Sequence, residues 1–423
     1  MSTPRVIVIG GGFGGLNLIK SLKNKNVRIT LIDKTNHHLF QPLLYQVATS
    51  SLFPTQIASP LRDFMQSQQN LSVIMGEVIR IDKIKKIVVL QNGNEFSYDY
   101  LVVATGTTHS YFGHKEWENW AVGLKTLSDA VNIRDKILTS FETAELEGSL
   151  SGNAPSLNFA VIGGGPTGVE MAGAISEICR ESLKGQFKYI KPETSAVYLI
   201  EAASRILPTY PEKCSSQAKK DLEKLGVKVL LNTKVLDISK EGINLGDLFL
   251  STQNIIWAAG NQASSFLKTL DTPLDKCGRV IVESDLSIPG EQNVFVIGDA
   301  SHVKTKEGAL VPGVAPAAIQ EGKYVAQIIS QKQKARQPFV YFDKGSMATI
   351  GKGKAIACKG SLQLGGFIAW LAWCFIHILY LVGFKNRLAV MWDWMYTFAT
   401  GKRKGRIIYN CVSKNRVSEI DNK

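Results

Sequence analysis

The chain has 423 residues, of which 45% are hydrophobic and 20% charged, and its formal net charge is +13. A chain of this length predicts two domains plus an appendage, because a single hydrophobic core stops growing at shorter lengths. The composition excludes a disordered chain, and no low-complexity tract or fixed-period repeat is present. The positive charge is compatible with nucleic acid, an anionic membrane or anionic cofactors.

The chain begins with a dinucleotide-binding pattern. Val6–Ile9 is a continuous apolar run, typical of a parallel strand buried on both faces. A GxGxxG sequence follows and opens a helical stretch that extends to Leu22; its glycines are Gly10, Gly12 and Gly15. Such glycines allow a tight turn and let a pyrophosphate approach the helix N-terminus, where the helix dipole stabilises its charge.

An acidic residue completes this first pattern. The next strand, Val27–Ile32, ends at Asp33, which lies 23 residues after Gly10. This distance is close to the spacing of about 20 residues expected for a carboxylate that binds a ribose. A Gly-rich turn without a ligand is the alternative, and the combination of strand, glycines, helix and acid favours a dinucleotide site.

The same pattern recurs in the middle of the chain. The run Leu157–Ile162 leads into a second GxGxxG and a helix; the glycines are Gly163, Gly165 and Gly168. The following strand, Ala196–Ile200, ends at Glu201, which lies 38 residues after Gly163. A carboxylate at this position repels a 2′-phosphate, so the pattern favours NADH over NADPH. Arg205 argues against this preference for NADH, because a nearby arginine is able to bind the 2′-phosphate of NADPH.

Two nucleotide sites in one chain indicate a flavoprotein that passes hydride between two bound dinucleotides. Three further segments fit this interpretation. They are a strand that ends in Thr-Gly between Tyr98 and Gly106, its counterpart Asn254–Gly260, and the strand Asn293–Gly298, which Asp299 follows directly. A helix cap is the alternative role for Asp299.

The cysteines form no redox motif in the sequence. They lie at positions 179, 214, 277, 358, 374 and 411, and neither CxxC nor CxxxxC is present. The spacing therefore predicts no redox dithiol and no zinc site, and scattered single cysteines suit a reducing cytosol. The first strand leaves no room for a signal peptide, which predicts a cytoplasmic compartment.

The C-terminal region combines apolar, aromatic and basic residues. Residues 362–384 contain no Asp, Glu, Lys or Arg, and the last 39 residues carry nine basic against three acidic side chains. A single span would carry Lys402–Arg406 across the membrane, against the positive-inside tendency. A return span over residues 386–400 is only about 22 Å long against a hydrocarbon core of about 30 Å. The sequence therefore predicts two helices that lie in the membrane surface, and no nucleic-acid partner.

Together these motifs resemble the two-dinucleotide-binding flavoproteins of the disulfide-reductase superfamily. Disulfide reductases need a cysteine pair against the flavin, and sulfide:quinone reductases also use cysteines there; no cysteine precedes Cys179. The chain then most resembles the type II, non-proton-pumping NADH:quinone oxidoreductases. The segments that carry this resemblance are residues 36–48 (NHHLFQPLLYQVA), 163–170 (GGGPTGVE), 315–322 (APAAIQEG) and the aromatic and basic segment 369–387.

The resemblance implies roles for individual residues. The flavin is implied to be FAD, bound by Gly10, Gly12, Phe13, Gly14, Gly15, Asp33, Lys34, Val78, Ala104, Thr105, Gly106, Asp299, Ala318 and Ile319. NADH is implied to be bound by Gly163, Gly165, Pro166, Thr167, Gly168, Glu170, Glu201, Ala259 and Gly260. The implied quinone-site residues are Gln46, Gln320 and Lys385, and the implied catalytic residues are Glu170, Gln320 and Glu321. His37 and His38 are interpreted as structural, and no metal site is expected.

The expected fold is α/β, with two Rossmann-like dinucleotide-binding domains and a C-terminal helical membrane-surface anchor. The FAD-binding domain is expected to cover residues 1–115 and 265–345, the NADH-binding domain 116–264, and the membrane-associating region 346–423. The expected reaction passes hydride from NADH to FAD and two electrons to ubiquinone or menaquinone, without proton pumping. We expect a homodimer, monotopic on the cytoplasmic side of the cell membrane. A sulfide:quinone or ferredoxin-type reductase and a membrane sensor without turnover remain the alternatives.

Overall fold

The structure, a computed structural model of the chain, describes residues 3–152, 155–331 and 336–409. It divides into two compact units. Unit 1 contains the residues up to Leu39, with Ala58–Thr108 and Asn261–Lys344; unit 2 contains Phe40–Ile57, His109–Gly260 and the residues from Gly345 onward. Both units combine helices and strands, so the predicted α/β class is confirmed. The predicted domain limits stay a prediction, and residues 410–423 of the predicted membrane region lie outside the described residues.

The helices and strands follow each other along the whole described chain. The helices are α1 (Phe13–Ser21), α2 (Leu44–Ala48), α3 (Pro54–Ile57), α4 (Leu127–Ser151), α5 (Pro166–Glu177), α6 (Glu212–Lys224), α7 (Ala315–Gln331), α8 (Gly366–Tyr380) and α9 (Phe384–Thr400). The strands are β1 (Arg5–Ile9), β2 (Arg28–Asp33), β3 (His37–Leu39), β4 (Ala58–Pro60), β5 (Leu71–Met75), β6 (Val78–Asp82), β7 (Ile87–Leu90), β8 (Glu95–Ser97), β9 (Tyr100–Val103), β10 (Thr107–His109), β11 (Ala121–Gly123), β12 (Asn158–Ile162), β13 (Ala196–Ile200), β14 (Val227–Leu230), β15 (Asp237–Ile238), β16 (Gly242–Asn244), β17 (Phe249–Ser251), β18 (Asn254–Trp257), β19 (Asn261–Ala263), β20 (Val280–Ile281), β21 (Ser287–Ile288), β22 (Glu291–Val296), β23 (Ser301–His302), β24 (Ser346–Gly351), β25 (Lys354–Lys359) and β26 (Leu362–Gly365).

Unit 1 is built on a sheet with the strand order β21-β22-β9-β1-β2-β5, parallel except for the edge strand β21. Successive side chains of a strand point to opposite faces, and β1 shows the consequence. Val6 and Val8 pack in a cluster with side chains of α1 and α7. Ile7 and Ile9 pack on the other face, in a cluster that includes β6 and β7. This double burial explains why β1 is apolar at every position after Arg5.

Unit 2 contains a second parallel sheet, with the order β11-β18-β12-β13-β14. Its central pair β12–β13 repeats the parallel pairing of β1–β2 in unit 1. In each pair the first strand leads into a glycine loop, and the second strand leads to an acidic residue. Helix α5 packs on this sheet and also against β24, the first strand of the antiparallel hairpin sheet β24-β25-β26. The strands and helices that the two GxGxxG patterns predicted are therefore confirmed, within one or two residues at their ends.

The two C-terminal helices that the sequence predicted are confirmed as α8 and α9, with one correction. The uncharged stretch of residues 362–384 is not a single helix, because Leu362–Gly365 pairs with β25 as strand β26. Among the described residues, no helix is long and apolar enough to cross a membrane. Helices α8 and α9 expose many apolar side chains, among them Phe367, Ile368, Leu371, Phe375, Leu379, Phe384, Leu388, Trp392 and Met395.

Candidate functional site

The glycine loop of unit 1 joins β1 to α1, and its backbone is tightly enclosed on one side. Gly10 has a φ of +104°, and a Cβ atom there would lie 2.4 Å from the carbonyl oxygen of Ala104. A Cβ atom on Gly15 would lie 2.0 Å from the carbonyl oxygen of Gly10. Nothing lies within 4 Å of a Cβ placed on Gly12. The shape of the loop therefore requires glycine at positions 10 and 15. Gly12 borders open space, on the side from which a phosphate approaches in such loops.

Asp33 holds this loop from the end of β2. One carboxylate oxygen accepts a hydrogen bond from the backbone N–H of Gly11 at 2.6 Å. The other oxygen accepts hydrogen bonds from the backbone N–H and the hydroxyl of Thr35, at 2.7 and 2.8 Å. The acid that the sequence predicted as a ribose ligand therefore also fixes the loop conformation; its ribose contact stays a prediction.

Asp299 lies on a short turn after β22, and Glu321 of α7 supports that turn. The Thr107 hydroxyl donates to the Asp299 carboxylate at 3.4 Å. The backbone N–H of Gly298 donates to the Glu321 carboxylate at 2.5 Å. Glu321 is only 2% exposed, and its burial raises the pKa to about 7. Glu321 thus positions the turn that carries Asp299, whereas its predicted place on a proton path stays a prediction.

Among the buried side-chain atoms of unit 1 that have no partner in the described residues, two lie beside the glycine loop. They are the Thr105 hydroxyl, whose Cα would lie 3.3 Å from a Cβ on Gly10, and Nε2 of His38. The other ring nitrogen of His38 contacts the Gly11 carbonyl oxygen at 2.8 Å, and burial lowers the pKa of His38 to about 4. A neutral His38 therefore supports the glycine loop. Buried polar atoms usually have partners, so these two atoms fit a polar ligand such as a flavin dinucleotide.

The other predicted flavin residues of unit 1 lie in different environments. Gly14 lies close to Ile297 and Ala318, Phe13 packs edge-on against the ring of His38, and Lys34 is exposed. Val78 and Ile319 are buried, and Ala104 and Gly106 flank Thr105 after β9. These positions are compatible with the predicted roles, which nothing in the geometry of unit 1 decides.

The side-chain amide of Gln320 on α7 already makes hydrogen bonds to backbone groups of unit 1. Its Nε2 donates to the carbonyl oxygens of Pro316 and Phe342 at 3.1 and 3.0 Å. Its Oε1 accepts from the backbone N–H of Phe342 at 2.9 Å. Donation of a hydrogen bond from Gln320 to a quinone carbonyl therefore requires one of the two Nε2 hydrogen bonds to be exchanged, and the predicted role of Gln320 stays a prediction.

The glycine loop of unit 2 repeats the loop of unit 1 in detail. Gly163 has a φ of +109°, and a Cβ there would lie 2.7 Å from the carbonyl oxygen of Ala258. A Cβ on Gly168 would lie 1.8 Å from the carbonyl oxygen of Gly163, and nothing lies within 4 Å of one on Gly165. Pro166 and Thr167, the first residues of α5, are exposed beside this open side, and Ala259 and Gly260 follow β18.

Glu201 occupies the position that Asp33 has in unit 1. Its carboxylate accepts from the backbone N–H of Gly164 at 2.5 Å and from that of Ala203 at 2.7 Å. The guanidinium group of Arg205 does not point to an open phosphate position, because it donates to the carbonyl oxygens of Pro208 and Tyr210 and to the Ser215 hydroxyl. These contacts therefore weaken the argument that Arg205 binds the 2′-phosphate of NADPH.

Glu170 lies on α5, two residues after the last glycine of the second loop, and faces a cavity inside unit 2. Its carboxylate accepts from the backbone N–H of Thr349 at 3.4 Å. The enclosure raises the pKa of Glu170 to about 8, so the carboxyl group is largely protonated at neutral pH. Other residues that line the cavity are Tyr45, Gln46, Thr349, Trp370, Trp373 and Trp394.

A chain of hydrogen bonds runs along the wall of this cavity. The indole N–H of Trp394 donates to Oε1 of Gln46 at 2.7 Å, and Nε2 of Gln46 donates to the Tyr45 hydroxyl at 3.0 Å. The Tyr45 hydroxyl in turn contacts the Thr349 hydroxyl at 2.8 Å. The predicted quinone residue Gln46 therefore lies in the same cavity as Glu170. Lys385, at the start of α9, is exposed and does not line the cavity.

An ion pair between Arg403 and Glu177 also lines this cavity. Arg403 is 3% exposed and donates to the Glu177 carboxylate at 2.6 Å and to the carbonyl oxygens of Thr49 and Ala174. Arg403 and Glu177 were not predicted as site residues from the sequence, and neither were Tyr45, Thr349 and Trp394. Only the spacing of Glu170 and Glu177, seven residues apart on one helix face, signals part of this arrangement.

The comparisons with known proteins agree with this geometry. Residues 4–322 match the family model described as pyridine nucleotide-disulphide oxidoreductase, and residues 344–403 match the NDH2 C-terminal domain. The chain is 43% identical over 416 residues to the type II NADH:quinone oxidoreductase Ndh of Mycobacterium tuberculosis, covering 94% of this chain and 89% of that protein. It is 29% identical over 441 residues to the internal alternative NAD(P)H-ubiquinone oxidoreductase A1 of Arabidopsis thaliana, covering 96% and 86%.

The fold is also found in a solved relative. The structure of NDH2 from Plasmodium falciparum in complex with NADH superimposes with a TM-score of 0.86 at 22% identity, over 96% of this chain and all of that one. The chain belongs to the pyridine nucleotide-disulphide oxidoreductases, flavoproteins that use a nicotinamide nucleotide. Within that class it belongs to the type II NADH:quinone oxidoreductase family, as the sequence resemblance predicted.

Proposed function

We propose that this chain oxidises NADH with a bound FAD and passes the two electrons to a membrane quinone. The observation that carries the proposal is the arrangement around Glu170. A protonatable carboxyl group lies two residues beyond the second glycine loop, in a cavity lined by tryptophan rings and by the hydroxyls of Tyr45 and Thr349. Reducing a quinone to a quinol takes two electrons and two protons, so it needs a flat apolar surface and a proton donor at the same place.

FAD is the group that we propose for unit 1. The open side of Gly12 is a cradle that a side chain would fill, and the unpartnered hydroxyl of Thr105 supplies a buried polar contact. Asp33 and Asp299 are the proposed ribose and ribityl ligands. When bound, the flavin supplies the two-electron chemistry between nicotinamide and quinone that amino-acid side chains lack. The protein then contributes the binding, the orientation and the proton supply.

NADH rather than NADPH is the proposed donor, bound at the loop of unit 2. The carboxylate of Glu201 would repel a 2′-phosphate. Arg205 offers no compensation, because its guanidinium group already donates to two carbonyl oxygens and one hydroxyl. The open side of Gly165, at the N-terminus of α5, provides the anion-binding position for the pyrophosphate.

In the hydrogen-bond chain along the cavity, one of the two hydroxyl groups of Tyr45 and Thr349 can donate its proton to a quinone. An indole N–H only donates, so the atom of Gln46 that faces Trp394 must be the amide oxygen, and Nε2 must donate to Tyr45. Tyr45 and Thr349 then share two hydroxyl protons, and only one of them lies between the two oxygens. The other is available to a quinone carbonyl. Protonated Glu170 is the proposed proton donor within the same cavity.

Attachment to a membrane surface is proposed for α8 and α9. The exposed rings and aliphatic chains of these helices would insert into the interfacial region, and the exposed side chains of Lys402 and Lys404 would contact anionic headgroups. We propose that the chain binds the cytoplasmic side of the membrane as a homodimer and does not pump protons. Protease access to the C-terminus from the outer side would contradict this placement.

The test of the reaction is anaerobic mixing of the holoenzyme with NADH, followed by ubiquinone or menaquinone analogues. We expect the flavin absorbance to bleach with NADH and to return with quinone. No bleaching with NADH would favour a sensor without turnover. Bleaching with sulfide but not with NADH would favour a sulfide:quinone reductase.

A further inference from the structure

Two cysteines that are far apart in the sequence lie in contact in unit 2. Cys214, in the first turn of α6, and Cys358, on β25, are separated by 144 positions, and their Sγ atoms lie 2.7 Å apart. Both are free thiols in the structure. The fold therefore creates a thiol pair that no local motif indicates, and the expectation that the chain has no CxxC-type redox dithiol stays a prediction. We propose that Cys214 and Cys358 are a modification site, at which an oxidant of the low-molecular-weight disulfide class forms a reversible intramolecular disulfide.

The surroundings hold the two thiols in position. Cys358 pairs across the hairpin with Gln363 of β26 and with Ser346 of β24. The Gln363 side-chain oxygen also faces the Cys214 thiol, at 3.9 Å. Helix α6 packs against all three strands of the hairpin sheet. Disulfide formation therefore replaces an existing contact, and it needs only a small movement of two side chains.

The exposure of the two thiols determines the order of the reaction. Cys358 is partly exposed, whereas Cys214 is only 4% exposed. The Cys358 thiolate attacks the oxidant, breaks its S–S bond, forms a mixed disulfide and releases one small thiolate. The Cys214 thiolate then attacks Sγ of Cys358, forms the protein disulfide and releases the second small thiolate. Two electrons reduce the oxidant, and the two cysteine protons end on the released thiols.

The disulfide would connect the nucleotide-binding part of unit 2 to the wall of the Glu170 cavity. Cys358 lies opposite the start of β24, and β24 carries Thr349, Ile350 and Gly351 in that wall. The covalent link would therefore restrain the hairpin that carries Thr349. Formation will be slow at neutral pH, because burial and the neighbouring thiol raise the pKa of Cys358 above that of a free thiol. The rate should therefore rise about tenfold from pH 7 to about 8, as the thiolate fraction increases.

The test uses the holoenzyme in a Cys277→Ser background, because Cys277 is an exposed thiol that would react on its own. The enzyme is incubated with oxidised glutathione, alkylated and analysed by peptide mass mapping. We expect a peptide linked through Cys214 and Cys358, two hydrogens lighter than the reduced pair. Dithiothreitol should reverse it. Alkylation of both residues without a linked peptide, or a link between two chains, would overturn the proposal.

Two matched variants test the order of the steps. In Cys214→Ser we expect one glutathione to remain on Cys358, because the resolving thiol is missing. In Cys358→Ser we expect Cys214 to stay reduced, because its thiol is buried. Glutathione on Cys214 in the second variant, with none on Cys358 in the first, would overturn the proposed order. These readouts need no turnover, so their failure is distinct from a failure of the proposed reaction.

Discussion

The two glycine loops have the same geometry and differ in what lies just beyond them. In each loop the first glycine of the pattern has a φ above +100°, and the last lies against the carbonyl oxygen of the first. The residue directly after the first glycine, Gly11 or Gly164, donates its backbone N–H to the acid at the end of the next strand. Two residues after the last glycine, unit 1 has Asn17 and unit 2 has Glu170. Asn17 donates to the Phe13 carbonyl oxygen of its own helix, whereas Glu170 faces the cavity. The loops therefore share the means of binding a dinucleotide, and the next helical turn distinguishes them.

The elements that cover the two helices also differ. A Cβ on Gly322 of α7 would lie 2.3 Å from the Gly14 carbonyl oxygen, so α1 is covered by a closely packed helix. A Cβ on Gly173 of α5 would lie 1.9 Å from the carbonyl oxygen of Ile350, so α5 is covered by strand β24. This strand brings Thr349 to Glu170. The covering element, and not the loop, therefore brings Thr349 and Glu170 together.

Substitution of the last loop glycine should have the largest effect. We expect Gly15→Ala to yield protein without flavin, and Gly168→Ala to keep flavin but lose its reduction by NADH. The reason is that the new Cβ would lie 2.0 or 1.8 Å from a backbone oxygen, which costs about 3 kcal/mol or more of unfolding free energy. Flavin absorbance and thermal unfolding measure both effects. In the controls Gly12→Ala and Gly165→Ala the space is open, so we expect normal folding and weaker ligand binding; a Gly15→Ala protein with full flavin content would contradict the assignment.

Glu170→Gln should lower quinone reduction about 100-fold, because it removes a general acid and keeps the shape of the side chain. Flavin reduction by NADH should change by less than about threefold. The wild-type rate should fall as the pH rises through about 8, where Glu170 loses its proton, and the variant should lack this decrease. Stopped-flow and steady-state rates from pH 6 to about 9.5 would show both. Glu147→Gln, at an exposed position of α4, is the matched control; a full quinone rate in Glu170→Gln would refute the proton-donor role.

Glu321→Gln should change the pH dependence of stability in unit 1. Below the ordinary carboxyl pKa of 4.5 the group is protonated in both the folded and the unfolded state. Between that pH and about 7 only the unfolded state ionises, so the raised pKa of Glu321 makes the wild-type protein less stable as the pH rises. Above pH 7 the variant should be more stable by about 3 kcal/mol, provided that its amide oxygen still accepts from Gly298. Urea unfolding at pH 5 and 8 measures this; a pH-independent difference would show that Glu321 ionises normally.

Glu201→Gln should have the smallest effect of the four. It removes the negative charge beside the second loop but keeps an oxygen for the Gly164 N–H. We expect the ratio of kcat/KM for NADPH to that for NADH to rise about tenfold, because the repulsion of the 2′-phosphate is lost. Asp33→Asn makes the same change in unit 1 and should leave this ratio unaltered. An equal response in both variants would remove the distinction between the two loops.

The sequence pattern was sufficient to predict structure where the backbone is constrained by residues close in the sequence. Gly15 and Gly168 are required by backbone contacts within a single strand–loop–helix unit, and Gly10 and Gly163 by their positive φ, so the spacing of the glycines identified both loops. Leu362–Gly365 shows where the pattern failed: an apolar run is compatible with a helix or a strand, and pairing with β25 decided for the strand. Glu321 shows a second limit, because its buried partner is the N–H of Gly298, which no periodicity reveals.

The sequence by itself determined the nucleotide-binding class of this protein, because a tight turn, a buried strand and a terminal acid follow from neighbouring residues. Only the tertiary structure decided which distant side chains meet. Tyr45, Glu170, Thr349 and Trp394 come from four separate elements and share one cavity, and Cys214 meets Cys358 through the packing of a helix on a hairpin. Such contacts depend on how secondary-structure elements pack against each other, and the chemistry of the cavity and of the thiol pair arises at that level.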